Sequence, residues 1–300
     1  MVPVPTPLLN NVTDTALIFE GGGMRGSFSA GVVTALLDGE VHCDWVGGIS
    51  AGSSCLVNYV ARDTERARRS FVEIAEDPRL GNFGTWVRGR GMFQSEWIYE
   101  QTSEPGQALP LDYEAFRANP ATIRVGGFRA ADGEMLYWGR DELHPKRQLM
   151  LKVRASSTMP LLMPITTIDG VDYVDGALGP SGGIALDAAQ ADGYEKFLVV
   201  FTRPRGYRKS VVKTPLTLRT LFRRYPAIAT ALIERPANYN RTLDELLELE
   251  REGRAYLLFP DEMPIENGER NVARLRSVFD AGRAQAEREL PAIREFLGLA

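Results

Sequence analysis

"GGISAGSS", residues Gly47 to Ser54, closes one apolar β-favouring run, Asp44 to Ile49, and opens a helical one, Ala51 to Arg62. Within it Gly48-Ile49-Ser50-Ala51-Gly52 has the form G-x-S-x-G. Between a strand and a helix this pattern makes a sharp turn, with glycines at Gly48 and Gly52 so that neighbouring backbone passes close and the serine hydroxyl projects past the strand end. A similar junction lies upstream. "IFEGGGMRG", Ile18 to Gly26, ends the short run Thr15 to Phe19 and precedes Ser27 to Leu37, where Phe28, Val32, Val33, Leu36 and Leu37 fall at helical spacing. Strand, helix, strand, helix is an order that favours a parallel sheet covered by helices. Adjacent parallel strands deliver their following loops to one edge of the sheet, so the glycine loop is expected to face Ser50.

The glycine loop admits more than one reading. Gly21, Gly23 and Gly26 satisfy G-x-G-x-x-G, the fingerprint of dinucleotide binding, which would make the chain an oxidoreductase. That fold needs an acid closing the second strand for the ribose hydroxyl. Here Glu40 and Asp44 precede the strand and Ser50 closes it. A P-loop would need Gly-Lys-Ser/Thr, which does not follow. Next to a serine at a strand end, the N–H groups of Gly22 and Gly23 could converge on a developing oxyanion, with Arg25 adding charge or holding the loop. Close helix–strand packing is the plain alternative.

A nucleophilic serine needs a proton acceptor. The chain has two histidines, His42 and His144. His42 precedes the strand whose far end carries Ser50, which at ~3.3 Å per residue puts it ~20 Å away. His144 falls between a hairpin and a helix, with Pro145 following, and reads as an exposed loop residue. The better candidate is Asp175 in "VDYVDGALG", where Gly176 permits an unusual turn and leaves the carboxylate approachable. An ordinary aspartate, with a pKa near ~3.9, is a weak base, so a Ser50–Asp175 dyad needs a partly desolvated carboxylate or strict alignment. Asp169 reads as a turn former and Asp172 as a strand residue.

The remaining chain fits one large domain with an appendage. Its 300 residues are 44% hydrophobic and 25% charged. Asp132-Gly133 and Asp169-Gly170 each sit between β-favouring runs, Ile123 to Ala130 with Glu134 to Trp138, and Ile165 to Ile168 with Val171 to Val174, as hairpins do. Ala185 to Ala191 reads as helix and Lys196 to Thr202 as a buried strand. Phe71 to Pro110 reads as helix remnants and a long loop, whose stretch Phe83 to Tyr99 could line an acyl pocket or pack on the surface. From Leu216 onward the pattern is helical, with "LDELLELEREGRAYLLF" adding a glycine stop and a last strand.

Composition excludes several classes. A formal charge of −4 argues against a nucleic-acid binder. Two cysteines, Cys43 and Cys55, make neither a disulfide framework nor a four-cysteine zinc site, and Cys55 is expected to pack as a small apolar residue. Met1 to Asp14 carries no cation and no apolar core of an export signal, and no apolar stretch reaches the ~18 residues of a membrane span. A cytoplasmic protein is expected. Charge is uneven: Arg203 to Arg224 holds eight Lys or Arg and no acid. This run could dock anionic headgroups at a membrane surface, or balance the acidic helix after Asp244.

Gly21-Gly22-Gly23-Met24-Arg25-Gly26, then Gly48-Ile49-Ser50-Ala51-Gly52, then Asp175-Gly176-Ala177 resembles the patatin-like phospholipase family, and "RASSTMPLLMPITTIDGVDYVDGA", Arg154 to Ala177, resembles the family block leading to its aspartate. The likeness spans residues 15 to 202. Ala177 stands where a second glycine is commoner. The tail is similar to a cytoplasmic bacterial branch of patatin-like esterases. The resemblance implies an α/β class, a three-layer α/β/α hydrolase fold with a mainly parallel sheet, with a catalytic domain over 12–205 and a mostly helical extension over 206–300 packed on it. It implies Ser50 as nucleophile, Asp175 as base, an oxyanion and substrate loop of Gly21, Gly22, Gly23, Met24, Arg25, Gly26 and Ala51, a lipid or other acyl-ester substrate, and no cofactor or metal. A non-catalytic lipid-binding protein is the remaining alternative.

Overall fold

The computed structural model describes residues 8–299. The first half of the N-terminal reading, residues 1–7, lies outside them. Eight strands form one sheet: β1 (Val12–Phe19), β2 (Cys43–Ile49), β3 (Thr122–Arg129), β4 (Met135–Trp138), β5 (Thr166–Ile168), β6 (Val171–Asp175), β7 (Lys196–Val200) and β8 (Ala255–Leu258). The helices are α1 (Gly26–Asp38), α2 (Ala51–Val60), α3 (Thr64–Phe71), α4 (Phe83–Val87), α5 (Tyr113–Ala118), α6 (Lys146–Ser156), α7 (Leu186–Ala191), α8 (Pro215–Leu221), α9 (Pro226–Arg251) and α10 (Val272–Leu297).

The strand order is β5-β6-β3-β2-β1-β7-β8, with β4 on the free edge of β3. β3, β2, β1, β7 and β8 run parallel, and the two sequence-predicted hairpins add the antiparallel part. Parallel strands are apolar on both faces because helices cover both. Along β1, Leu17 and Phe19 pack with α1, α2, α3, α6 and α10, while Ala16 and Ile18 pack with α7 and α9. A smaller cluster, including Phe128, Val174, Phe222 and Ile228, seats α8 and the start of α9 under β3 and β6.

α1 is the most enclosed helix, every residue but Asp38 being buried. Its amphipathic stripe faces the sheet, and its other side is covered by α10. The approach is close: a Cβ on Gly31 would lie 2.2 Å from the Phe279 carbonyl oxygen, so a larger residue there would push the helices apart. β8 extends the parallel sheet beside β7. Residues after 206 therefore supply a strand and a covering helix as well as surface elements.

The register around β3 fixes the site. β2 pairs with the first half of β3, ending at Ile49 opposite Gly126, and β6 pairs antiparallel with the second half, ending at Asp175 opposite Gly127. β4 meets those same residues, Gly126 with Tyr137 and Gly127 with Leu136, and so occupies the opposite edge. β2 and β6 thus abut end to end on one edge of β3. Their C-terminal ends meet, carrying Ser50 and Asp175.

Candidate active site

Ser50 is the N-cap of α2, with φ 57° and ψ −125°, a backbone region costly for a side-chain-bearing residue and typical of a strained elbow. The turn is pinned: Ser50 N–H donates to Ser156 Oγ at 2.9 Å, and the Ser50 carbonyl accepts from Ser53 N–H at 2.9 Å and Ser53 Oγ at 2.6 Å. Gly52 must be glycine, because a Cβ there would lie 2.1 Å from the Phe19 carbonyl oxygen, and Gly48 faces Gly52 as closely. Ser50 and Asp175 line the same cleft, and the Ser50 hydroxyl is among the neighbours that favour the charged form of the Asp175 carboxylate.

Asp175 is 7% exposed. Burial raises its pKa above the ordinary aspartate value, opposed by the charge of Arg235, the Ala177 N–H, the Ser50 hydroxyl and the charge of Lys209. Its Oδ1 accepts from Ala177 N–H at 2.9 Å, and its own N–H donates to the Thr158 carbonyl at 2.9 Å. A desolvated carboxylate held this way is a stronger base than a free one, which is the condition a serine–aspartate pair requires. Gly176 lets the turn lie on β3: a Cβ would come 2.5 Å from the Gly126 carbonyl oxygen.

The glycine loop lies against the elbow. A Cβ on Gly21 would sit 3.1 Å from Ser50 Cβ. Gly23 has φ +58°, and Met24 N–H donates to the Asn267 carbonyl at 3.0 Å. The N–H groups of Gly22 and Gly23 have no acceptor among the described residues. Ala51 N–H opens the first turn of α2, where helix donors lack intrahelical partners. Gly26 begins α1, packed against Phe71 and Ala51. Arg25 is 7% exposed, makes no side-chain hydrogen bond or ion pair with a described residue, and leaves Nε buried without a partner.

The histidines stand elsewhere. His42 is at the far end of β2, bonded through its backbone to Asn11 and Val12, and His144 is stacked on Tyr113, whose hydroxyl lies 2.9 Å from Nδ1. Asp169 forms its turn at φ 50°, and Asp172 accepts from Tyr225 and Thr167. Cys43 and Cys55 are buried free thiols, Cys55 within the apolar core.

Two cavities meet at Ser50. An apolar one of about 750 Å³, including the part open to solvent, is lined by Met24, Val57, Phe71, Ile98, Met150 and Val153 among others. The aromatic loop is divided by it: Phe93 and Tyr99 line the cavity, while Phe83 and Trp86 are exposed. Tyr99 lies beside Ser157 and Ser54, and its pKa is raised by burial and the Asp175 charge. The second, a polar cleft, shares Gly23, Ser50, Met159 and Asn267 with the first and takes in Asp175, Arg25, Arg203, Lys209 and Arg235.

Sequence reasoning had no signal for Ser156, Asn267 or Arg235, and it held Lys209 only as one cation of the basic run Arg203 to Arg224. Ser156 lies in the quoted block Arg154 to Ala177, but nothing local marks it as the elbow's acceptor. The basic run divides: Arg205 and Arg208 pair with Glu250 and Asp244 on α9, as a charge-balancing face would, while Arg203 and Lys209 turn into the cleft.

The patatin-like phospholipase family model matches residues 17–186, and a domain of unknown function (DUF6363) matches residues 225–298. Uncharacterized protein YjjU of Escherichia coli (strain K12) is 26% identical over 191 residues, 63% of this chain and 52% of that protein. The chain therefore spans about half the length of that curated relative. Among solved structures, VipD from Legionella pneumophila superposes with a TM-score of 0.48 at 12% identity, over 93% of this chain and 67% of that one.

Proposed function

Since the chain belongs to the patatin-like phospholipase family, we propose that it is a serine acyl hydrolase acting on carboxylic esters of lipids, with Ser50 as nucleophile and Asp175 as base. The placement of Ser50, on its strained turn, in one cleft with a buried, pKa-raised Asp175 and at the mouth of an apolar cavity carries this reading.

Asp175 takes the proton as Ser50 Oγ attacks the ester carbonyl carbon, and the carbonyl oxygen becomes an oxyanion. The N–H groups of Gly22, Gly23 and Ala51 receive that charge, each well-aimed donor contributing about 3 kcal/mol. On collapse the alcohol leaves with the proton from Asp175, giving an acyl-Ser50 ester. Water, deprotonated by Asp175, then attacks it, releasing the fatty acid and restoring the Ser50 hydroxyl. The acyl chain lies in the apolar cavity throughout. No helix among the described residues is long and apolar enough to cross a membrane. A cytoplasmic enzyme meeting its lipid at the membrane surface is the arrangement we propose.

A fluorophosphonate probe tests the nucleophile: wild type should acquire one covalent adduct at Ser50, and Ser50→Ala none. Liposome binding without adduct or ester turnover in wild type would leave a lipid-binding protein and reject the hydrolase. Affinity for NAD(P) that survives Ser50→Ala would favour the dinucleotide reading instead.

A further inference from the structure

The polar cleft has more cationic donors than acceptors. Its volume is about 1130 Å³ including the part open to solvent, and Arg25, Arg203, Lys209 and Arg235 reach it from three segments of the chain. Neither Arg25 nor Arg235 has a side-chain hydrogen bond or ion pair with a described residue, and Nε of Arg25, Arg203 and Arg235 is in each case buried without a partner. The Lys209 ammonium lies 3.9 Å from the Tyr239 ring centroid, and the Arg203 guanidinium 4.6 Å from that of Tyr207.

Three acids stand near, and each is committed. Asp175 serves Ser50 and Ala177. Glu20 accepts from Thr202 through both its N–H and its hydroxyl. Glu266 is 3.6 Å from Arg203 and mostly in solvent. Cations gathered in a cleft without acceptors carry a desolvation and repulsion cost that a bound anion offsets. Donors arriving from several directions suit a tetrahedral phosphate, with its three free oxygens, better than a planar carboxylate.

We propose that this cleft is a phosphate subsite for the alcohol half of the substrate, so that the enzyme prefers acyl esters carrying a phosphate, held chiefly by Lys209 and Arg235. The inference rests on the hydrolase reading for what occupies the apolar cavity, but its test needs no turnover. The cavities share Ser50, so an ester whose carbonyl sits at Oγ places its chain on one side and its phosphate-bearing alcohol on the other. Lys209 supports this: burial, then Arg235, Arg25 and Arg203, lower its pKa to about 7 against the opposing charge of Glu20. A bound phosphate would restore its charge. Lysine must be protonated to hold the anion, so phosphate affinity should weaken as pH rises from 7 to 9, where a phosphomonoester with a second pKa near ~6 is already a dianion.

The experiment uses the full chain with Ser50→Ala and a pair of non-hydrolysable single-chain ligands, a 1-O-octyl glycerol and its 3-phosphate, titrated calorimetrically. The phosphate should tighten binding about 10-fold or more. Adding Arg235→Gln or Lys209→Gln should each remove most of that preference, and Arg208→Gln, on the exposed pair with Asp244, should keep it. Equal affinity for the two ligands, or a preference surviving both substitutions, would overturn the proposal. Chainless glycerol 3-phosphate binding as tightly as the octyl phosphate would mean a separate phosphate ligand and would also overturn the headgroup assignment. A phosphate preference in a chain whose wild type shows no ester turnover would keep the subsite and remove the hydrolase reading alone.

Discussion

The apolar cavity and the basic cleft share a serine but come from different parts of the chain. Apart from Asn267, which both share, the first is lined by residues of the glycine loop, α2, α3, α6 and the segments beside them, all inside the family match. The second takes Arg203, Lys209 and Arg235 from beyond residue 186, Arg235 lying in the stretch matched by the domain of unknown function. The common segment thus surrounds the elbow and the apolar side, while the other wall belongs to the tail. A tail that completes the sheet through β8 and covers α1 through α10 is tied to the same packing.

Substitutions at the shared centre should erase the difference between the two sides. Ser50→Ala should lower ester turnover on the order of 10⁴-fold or more, whatever the alcohol, measured with a chromogenic short-chain ester. Asp175→Asn should do nearly the same with the fold retained by circular dichroism, and activity close to wild type would remove Asp175 as base. That variant should also melt higher than wild type at pH 7. The folded value of Asp175 is raised, so its charged form is disfavoured in the native state. The penalty is absent below the unfolded value near ~3.9 and fully present above the folded one, so the difference in Tm should close towards pH 3.

Gly23→Ala comes next. It forces a side chain into φ +58° and sets a Cβ 2.5 Å from the Asn267 carbonyl oxygen, so it should cost on the order of 1–3 kcal/mol of stability and lower turnover of all esters. Filling the apolar side, by Met150→Trp, should lower the ratio of long-chain to short-chain kcat/KM about 10-fold, read on a series of p-nitrophenyl esters. An unchanged ratio would place the chain elsewhere. The pH profile sharpens the contrast further: for any ester the acid limb of kcat/KM should fall off above the ordinary aspartate range, following Asp175. The smallest effect belongs to Arg208→Ala. Its exposed pair with Asp244 should be worth less than about 1 kcal/mol by thermal melting.

Much of the site's local form was legible. The order of strand, glycine loop, helix, strand, elbow and helix followed from apolar spacing and punctuating glycines, because those signals act between residues a few positions apart. The two hairpins were equally local, each set by an Asp-Gly pair. The split of the basic run was not, since Arg208 and Lys209 are sequence neighbours with the same charge and differ only in which side of α9 they meet.

By itself the sequence determined that a serine would stand on a strained strand-to-helix turn beside a glycine loop, and that an aspartate would end a later hairpin. These outcomes depend on short-range sterics that glycine and the apolar pattern specify. Only the tertiary structure decided that the serine and the aspartate share one cleft and that Lys209 and Arg235 line it with them. That depends on β2 and β6 meeting end to end on one edge of β3, at Gly126 and Gly127, and on where α9 crosses the sheet. Pairing register between segments more than 100 residues apart is set by the packing of the whole core, and no local stretch encodes it.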